Sequence, residues 1–189
     1  MKREKLILAI GIVLIALFGF YAVNTYNKAI DNQDAIQEII DNPLQVEQAL
    51  WKDIELENVL TGEKLTISSI DKPILLETFA VWCPTCRKQQ DKVKELHEEL
   101  GDAVISISLD TDPNEDAQQI IDHATRNGFD WFFAISPEDM TRALIDEFGI
   151  TIVNAPSAPI ILLCPGKQGR LLPSGVKSAQ ELKEAVESC

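Results

Sequence analysis

Cys83 and Cys86, within Trp82-Cys83-Pro84-Thr85-Cys86, are the two side chains whose type and spacing most directly permit chemistry. Ahead of them runs a stretch apolar on both faces, Ile74-Leu75-Leu76 to Phe79-Ala80-Val81, which reads as a central strand. Behind them a helix is predicted from Pro84 to Leu100, with Val93, Leu96 and Leu100 on one stripe and Gly101 at its end. Two residues between cysteines at a helix start put both sulfurs on one turn, close enough to join. The unpaired N–H groups and the helix dipole there favour a thiolate on the first sulfur. Cys83 is therefore the expected nucleophile and Cys86, one turn deeper, the buried thiol that resolves a mixed disulfide. Pro84 fits the first turn because its missing N–H has no intrahelical acceptor. The competing readings are a structural zinc site and two incidental cysteines. A zinc site needs four ligands, yet no second Cys-x-x-Cys exists, and His97 and His123 stand singly on predicted helices where solvent-facing positions explain them. The pattern points to thiol-disulfide chemistry with no metal and no cofactor.

The elements that must hold this pair alternate. Trp51–Glu57 and Lys64–Ile67 flank the turn Leu60-Thr61-Gly62-Glu63 and predict a hairpin, and Ala103–Leu109 is a strand rich in Val and Ile. Asp112-Pro113-Asn114-Glu115 has an N-cap, a proline and a glutamate in helix-opening order and predicts a helix to Asn127-Gly128. Ser136-Pro137-Glu138-Asp139 repeats that order for a helix to Phe148-Gly149. Trp131–Phe133 reads as a short strand or extended loop, Ile160–Cys164 as an apolar strand, Pro165–Gly169 as a turn, and Arg170–Leu172 as the returning strand. Ser178-Ala179-Gln180-Glu181 is a capping box for the last helix. A parallel crossover closed by an antiparallel hairpin and a final helix gives an α/β sandwich with helices on both faces.

The chain has 189 residues and a net charge of −13, so an electrostatic grip on nucleic acid is not expected. Four cysteines are too few to build a disulfide-dependent miniprotein, and the length suits one domain plus an appendage. That appendage is the start. After Met1–Lys5, the segment Leu6–Val23 carries no charged or amide side chain and is long enough, at ~1.5 Å per residue, to cross a bilayer as a helix. Tyr21 and Tyr26 suit its interface, and Lys2, Arg3 and Lys5 hold the short flank in the cytoplasm, placing the remainder outside. A cleaved signal peptide is the alternative, but the run exceeds a usual signal core and no Ala-x-Ala pair or lipobox cysteine follows. Residues 24–50 read as a stalk, or as an extra helix packed on the domain at 51–189.

The stretch Leu75-Leu76-Glu77-Thr78-Phe79-Ala80-Val81-Trp82-Cys83-Pro84-Thr85-Cys86 resembles the active-site segment of the thioredoxin superfamily, specifically its membrane-anchored TlpA-like branch. Ile54-Glu55-Leu56 through Thr66-Ile67 is similar to that branch's leading hairpin, and the likeness runs roughly from Trp51 to Val186. It implies a thioredoxin-like three-layer α/β/α sandwich behind an N-terminal transmembrane helix, and exchange of disulfides with protein substrates. By that resemblance Cys83 is the nucleophile, Cys86 the resolving thiol, and Trp82 the aromatic shield. Pro84 and Thr85 complete the surface a substrate meets. Glu77, six residues before Cys83, falls where thioredoxins place a buried acid that moves a proton to or from the resolving thiol; a solvated strand-end carboxylate is the alternative. Pro159, directly before the strand at Ile160, resembles the superfamily's cis-proline, whose cis bond would expose backbone groups of Ala158 to an extended substrate. Ile160 departs from the threonine common after that proline, and Pro156 is a rival three residues earlier.

Cys-Pro-Thr-Cys matches neither the insert of reducing thioredoxins nor that of strong oxidants, which leaves the direction of exchange open; an anchored, extracytoplasmic oxidoreductase acting as a reductase or isomerase on secreted or cytochrome proteins is the leading expectation. Its partners are protein thiols or disulfides and a membrane or extracytoplasmic electron donor or acceptor. A non-enzymatic copper-binding metallochaperone is the alternative, weakened because no methionine lies near either cysteine. Cys164 and Cys189 stand outside the motif. The last helix should run back toward the end of the strand carrying Cys164, so the pair is expected to form a structural disulfide; two separate thiols are the alternative.

Overall fold

The computed structural model describes residues 51–189. The expected anchor at 1–23 and stalk at 24–50 lie outside the described residues, and among those described no helix is long and apolar enough to cross a membrane. Trp51–Asp53 forms a short 3-10 turn, and β1 (Leu56–Glu57) pairs with β2 (Lys64–Leu65) as a small antiparallel hairpin. The main sheet contains β3 (Ile74–Phe79), β4 (Ile105–Asp110), β5 (Phe132–Ile135), β6 (Ile160–Leu163) and β7 (Arg170–Leu171), in the order β5-β4-β3-β6-β7. β3, β4 and β5 run parallel, whereas β6 and β7 add antiparallel. The helices are α1 (Pro84–Leu100), α2 (Ala117–Asn127), α3 (Glu138–Phe148) and α4 (Ala179–Glu187).

The alternation of side chains along β3 decides what reaches the cysteines. Leu75, Glu77 and Phe79 share one face of the strand, and Ile74, Leu76 and Thr78 the other. The first face packs with Cys86, Val93 and Leu96 of α1, Ile120 and Ala124 of α2, and Leu182 and Val186 of α4. The second packs with Met140 and Leu144 of α3 and with Trp51 and Ile67. A strand buried on both sides therefore reads as a continuous apolar run while delivering one carboxyl, Glu77, to the face that carries α1.

Two predicted helix starts shift. α2 begins at Ala117, with Asp116 as N-cap in a capping box with Gln119, rather than at Asp112. The reason lies in competing hydrogen bonds: Asp112 accepts from Asn114 N at 2.9 Å and from Trp82 Nε1 at 2.7 Å, and Glu115 reaches back to the backbone of Val81. α3 begins at Glu138 after Pro137, and Ser136 makes no cap. The hairpin strands are shorter than expected, because Trp51–Asp53 before the first and Ile67–Ser69 after the second turn into 3-10 segments. The last helix starts as expected, with Ser178 and Glu181 bonded reciprocally.

Candidate active site

Cys83 ends the loop after β3 and is the N-cap of α1, its Sγ accepting the Cys86 N–H at 3.2 Å. The two sulfurs lie 2.8 Å apart, both as free thiols. The helix start thus places a sulfur where backbone donors lack partners, and the next turn places the second sulfur against the first. Cys86 is wholly covered, and its Sγ donates to the Ala155 carbonyl at 3.1 Å. Burial pushes its pKa up first, the hydrogen bond with Cys83 adds to that, and the charge of Glu77 acts in the same direction. Cys83 is also largely covered, at 1% exposed, whereas Trp82 beside it stands 59% exposed. Pro84 is exposed and Thr85 half-buried. A cavity of about 320 Å³ lies beside Trp82, lined by Ala80, Trp82, Asp112, Asn154, Ala155 and Pro156 among others.

Glu77 is buried at 2% exposed, and the parallel register sets it opposite Ser108, whose hydroxyl donates to its Oε2 at 3.1 Å. Ser108 in turn accepts from Trp131 Nε1 at 3.0 Å. Among the described residues neither Glu77 Oε1 nor the Gln90 Nε2 of α1 has a hydrogen-bond partner. Desolvation raises the Glu77 pKa to about 8, against smaller opposing effects of Ser108, Gln90 and the Lys177 charge. The carboxyl is therefore neutral or near its midpoint at ordinary pH, the condition a proton-transfer group requires.

The loop before β6 differs from expectation. No peptide bond among the described residues is cis, so the Ala158–Pro159 bond is trans, and Ala158 takes a left-handed conformation at φ 47°. Its N–H donates to the Ala155 carbonyl at 2.9 Å and its carbonyl accepts from Lys177 Nζ. Both backbone groups of Ala158 are therefore engaged within the chain in this conformation. Pro159 is buried, its carbonyl taken by Thr78 N at 3.3 Å, while the rival Pro156 lines the cavity beside Trp82. The short turn that Ala158 closes begins at Ala155, whose carbonyl meets Cys86 Sγ.

Several residues of the site carry no signal in the sequence. Lys177, at 6% exposed, and Gln89 are buried beside Cys86, and Gln90 beside Glu77. His123 is also buried rather than solvent-facing, its Nε2 2.7 Å from Gln90 Oε1 and its ring stacked on Phe79. His97 is half-buried and stacks on Trp131, with Nε2 2.9 Å from Ser106 Oγ. Both histidines sit on helix faces turned to the sheet, where Phe79 of β3 and Phe129 and Trp131 of the approach to β5 meet them. Far from the site, Cys164 and Cys189 form a disulfide with Cα atoms 5.3 Å apart.

The family model described as Redoxin matches residues 45–165, and the chain belongs to that family. The thioredoxin-like protein YneN of Bacillus subtilis is 28% identical over 141 residues, covering 74% of this chain and 72% of YneN. Among solved structures, a secreted Mycobacterium tuberculosis disulfide oxidoreductase homologous to Escherichia coli DsbE superposes with a TM-score of 0.58 at 13% identity, covering 74% of this chain and 98% of its own. StoA of Bacillus subtilis gives 0.53 at 19% identity, covering 69% and 93%. These likenesses show the thioredoxin-like α/β fold.

Proposed function

We propose that this redoxin-family chain, a thioredoxin-like thiol-disulfide oxidoreductase, works as a membrane-anchored, extracytoplasmic reductant of protein disulfides through Cys83 and Cys86. The observation that carries the reading is the pair of free thiols 2.8 Å apart, the first capping α1 and the second buried under Ala155 with Glu77 in the same core. The Cys83 thiolate attacks one sulfur of a substrate disulfide. That S–S bond breaks, and the departing substrate thiolate takes up a proton. Cys86 then gives up its proton, with Glu77 the nearby acid-base group, and attacks Cys83 Sγ. A Cys83–Cys86 bond forms, the mixed disulfide breaks, and the second substrate thiol leaves. The substrate gains two electrons and two protons, and the dithiol loses them.

Two features support the reducing direction and the location. A Cys86 thiol pushed up by burial adds no thiolate stabilisation of its own to the dithiol form, which suits an electron donor. The Cys164–Cys189 disulfide suits an oxidising compartment, in keeping with the Lys2, Arg3 and Lys5 flank before the apolar Leu6–Val23. The copper-carrier alternative gains nothing from the fold, since Met140 packs on the opposite face of the sheet from the cysteines.

The test uses the reduced full-length chain in detergent with insulin as the protein disulfide. The expected result is insulin reduction, and a mixed disulfide that accumulates on Cys83 when Cys86 is replaced by Ser. Accumulation on Cys86 in the reverse variant would invert the roles, and no exchange with stoichiometric bound copper would replace the reading with metal carriage. For location, protease added to spheroplasts should digest the domain while the anchor stays with the membrane.

A further inference from the structure

A buried lysine is the least expected side chain in this core. Lys177 lies between β7 and α4, and its backbone is gripped from α1, where the Gln89 side chain accepts from its N–H at 2.7 Å and donates to its carbonyl at 3.2 Å. Gln89 is one turn beyond Cys86 on that helix. The Lys177 side chain runs inward and donates from Nζ to the Ala158 carbonyl. That carbonyl belongs to the residue in left-handed backbone, a conformation unfavourable for a non-glycine residue. Ala158 in turn closes the short turn whose first residue, Ala155, holds Cys86 Sγ through its carbonyl. One side chain thus connects α1, the strained turn and the resolving thiol.

Among the described residues no carboxylate lies within hydrogen-bond distance of the ammonium, so no ion pair there explains its burial. The titratable groups facing it are Glu77 from β3, Cys86 from α1 and Glu181 from α4, and each favours its charge, whereas desolvation opposes it and brings its pKa down to about 8. The reciprocal effect appears at Glu77, where the Lys177 charge works against the rise. A cation kept in a dry site at that cost has its largest effect when a neighbouring group acquires negative charge. In the reaction set out above, that moment is the deprotonation of Cys86.

We propose that Lys177 is a positioning residue for the resolving step: it holds the Ala158 turn that seats Ala155 on Cys86, and its buried positive charge stabilises the thiolate that Cys86 becomes when it attacks the mixed disulfide. Cys83 attack on the incoming disulfide does not depend on this charge to the same degree, because that anion forms at the N-cap of α1, where the Cys86 N–H and the helix dipole already stabilise it. The proposal rests on the exchange function assigned above, and it makes the second half of the reaction, not the first, the half that Lys177 governs.

The experiment follows the full-length reduced chain with oxidised glutathione as the probe. Acid quenching and mass spectrometry separate formation of the Cys83–glutathione mixed disulfide from its loss, each measured against pH. Lys177→Met removes both charge and tether, Lys177→Gln keeps a hydrogen-bond donor without the charge, and Lys177→Arg keeps the charge. The expected result is a resolution profile displaced to higher pH by about one unit in the Met and Gln variants, with the ratio of resolution to formation near neutrality reduced roughly tenfold, and a profile returned toward the parent by Arg. A resolution profile in Lys177→Gln superimposable on the parent's overturns the charge role, and this variant decides the matter if Lys177→Met does not fold. A parent chain that forms no mixed disulfide at all points instead to failure of the assigned exchange function.

Discussion

A carboxyl group buried beside two thiols is stable mainly in its neutral form, and the Glu77 pKa of about 8 expresses that. Glu77→Gln keeps the shape and the hydrogen bond from Ser108 but cannot exchange a proton. Disulfide exchange should therefore fall by roughly tenfold to a hundredfold, and the inflection near that pKa should disappear from the rate profile. Unchanged rates across the neutral to alkaline range, measured with insulin, would remove Glu77 from the proton path. Its position six residues before Cys83 made it visible in the sequence through the resemblance to the thioredoxin superfamily, whose buried acid falls there. Lys177 and Gln89 gave no such sign. Their hydrogen bonds span 88 residues, and a lysine in a Ser-Gly-Val-Lys-Ser loop reads as solvated until the loop is seen folded against α1.

The segment between β4 and α2 behaves as a bracket for the active-site loop. Glu115 accepts from Val81 N at 2.7 Å and from Trp82 N at 3.3 Å, and Asp112 accepts from the Trp82 ring, so two carboxylates fix the approach to Cys83. This is why Asp112-Pro113-Asn114-Glu115, although it has helix-opening grammar, does not open the helix. Local propensity lost to tertiary hydrogen bonds, and Asp116 took over as the cap. The central strand, α1 and the capped α4 were legible because pattern and partner agreed there. Glu115→Ala should leave the Val81 and Trp82 amides without their acceptor. We expect a stability loss of about 1–2 kcal/mol in chemical denaturation, with altered Trp82 fluorescence. An unchanged spectrum and midpoint would show that the bracket does not hold the loop. Asp116→Ala, which removes only the α2 cap, should cost about 1 kcal/mol and leave that fluorescence alone.

At the scale of the molecule, the α/β sandwich and the Cys164–Cys189 linkage follow from how β6, β7 and α4 return on one another. Removing the linkage with Cys189→Ser should lower stability by about 3.5 kcal/mol in the chain-entropy treatment, read from the denaturation midpoint. The response to pH is set instead by the buried groups. Glu77 and Asp110 are both raised to about 8 by burial, so each holds a proton in the folded state that it has lost in the unfolded chain over the range from the ordinary carboxylate value to about 8. The folded state binds more protons there, and stability must fall as pH climbs through that window. Lys177 acts in the next window with the opposite sign. Lowered to about 8 from 10.5, it is neutral in the folded state while still protonated in the unfolded chain, so stability recovers as pH rises between those values. The two effects together give a minimum near the shared midpoint, at which a neutral-pH optimum would otherwise be expected. Thermal denaturation of the full-length chain across mildly acidic to alkaline buffers should show that dip. Glu77→Gln and Asp110→Asn should each make its acid side shallower, because amides have no proton to lose, while Lys177→Met should flatten the alkaline recovery. A parent profile that rises steadily through this range would mean that these carboxyls titrate as solvated groups, which their burial forbids.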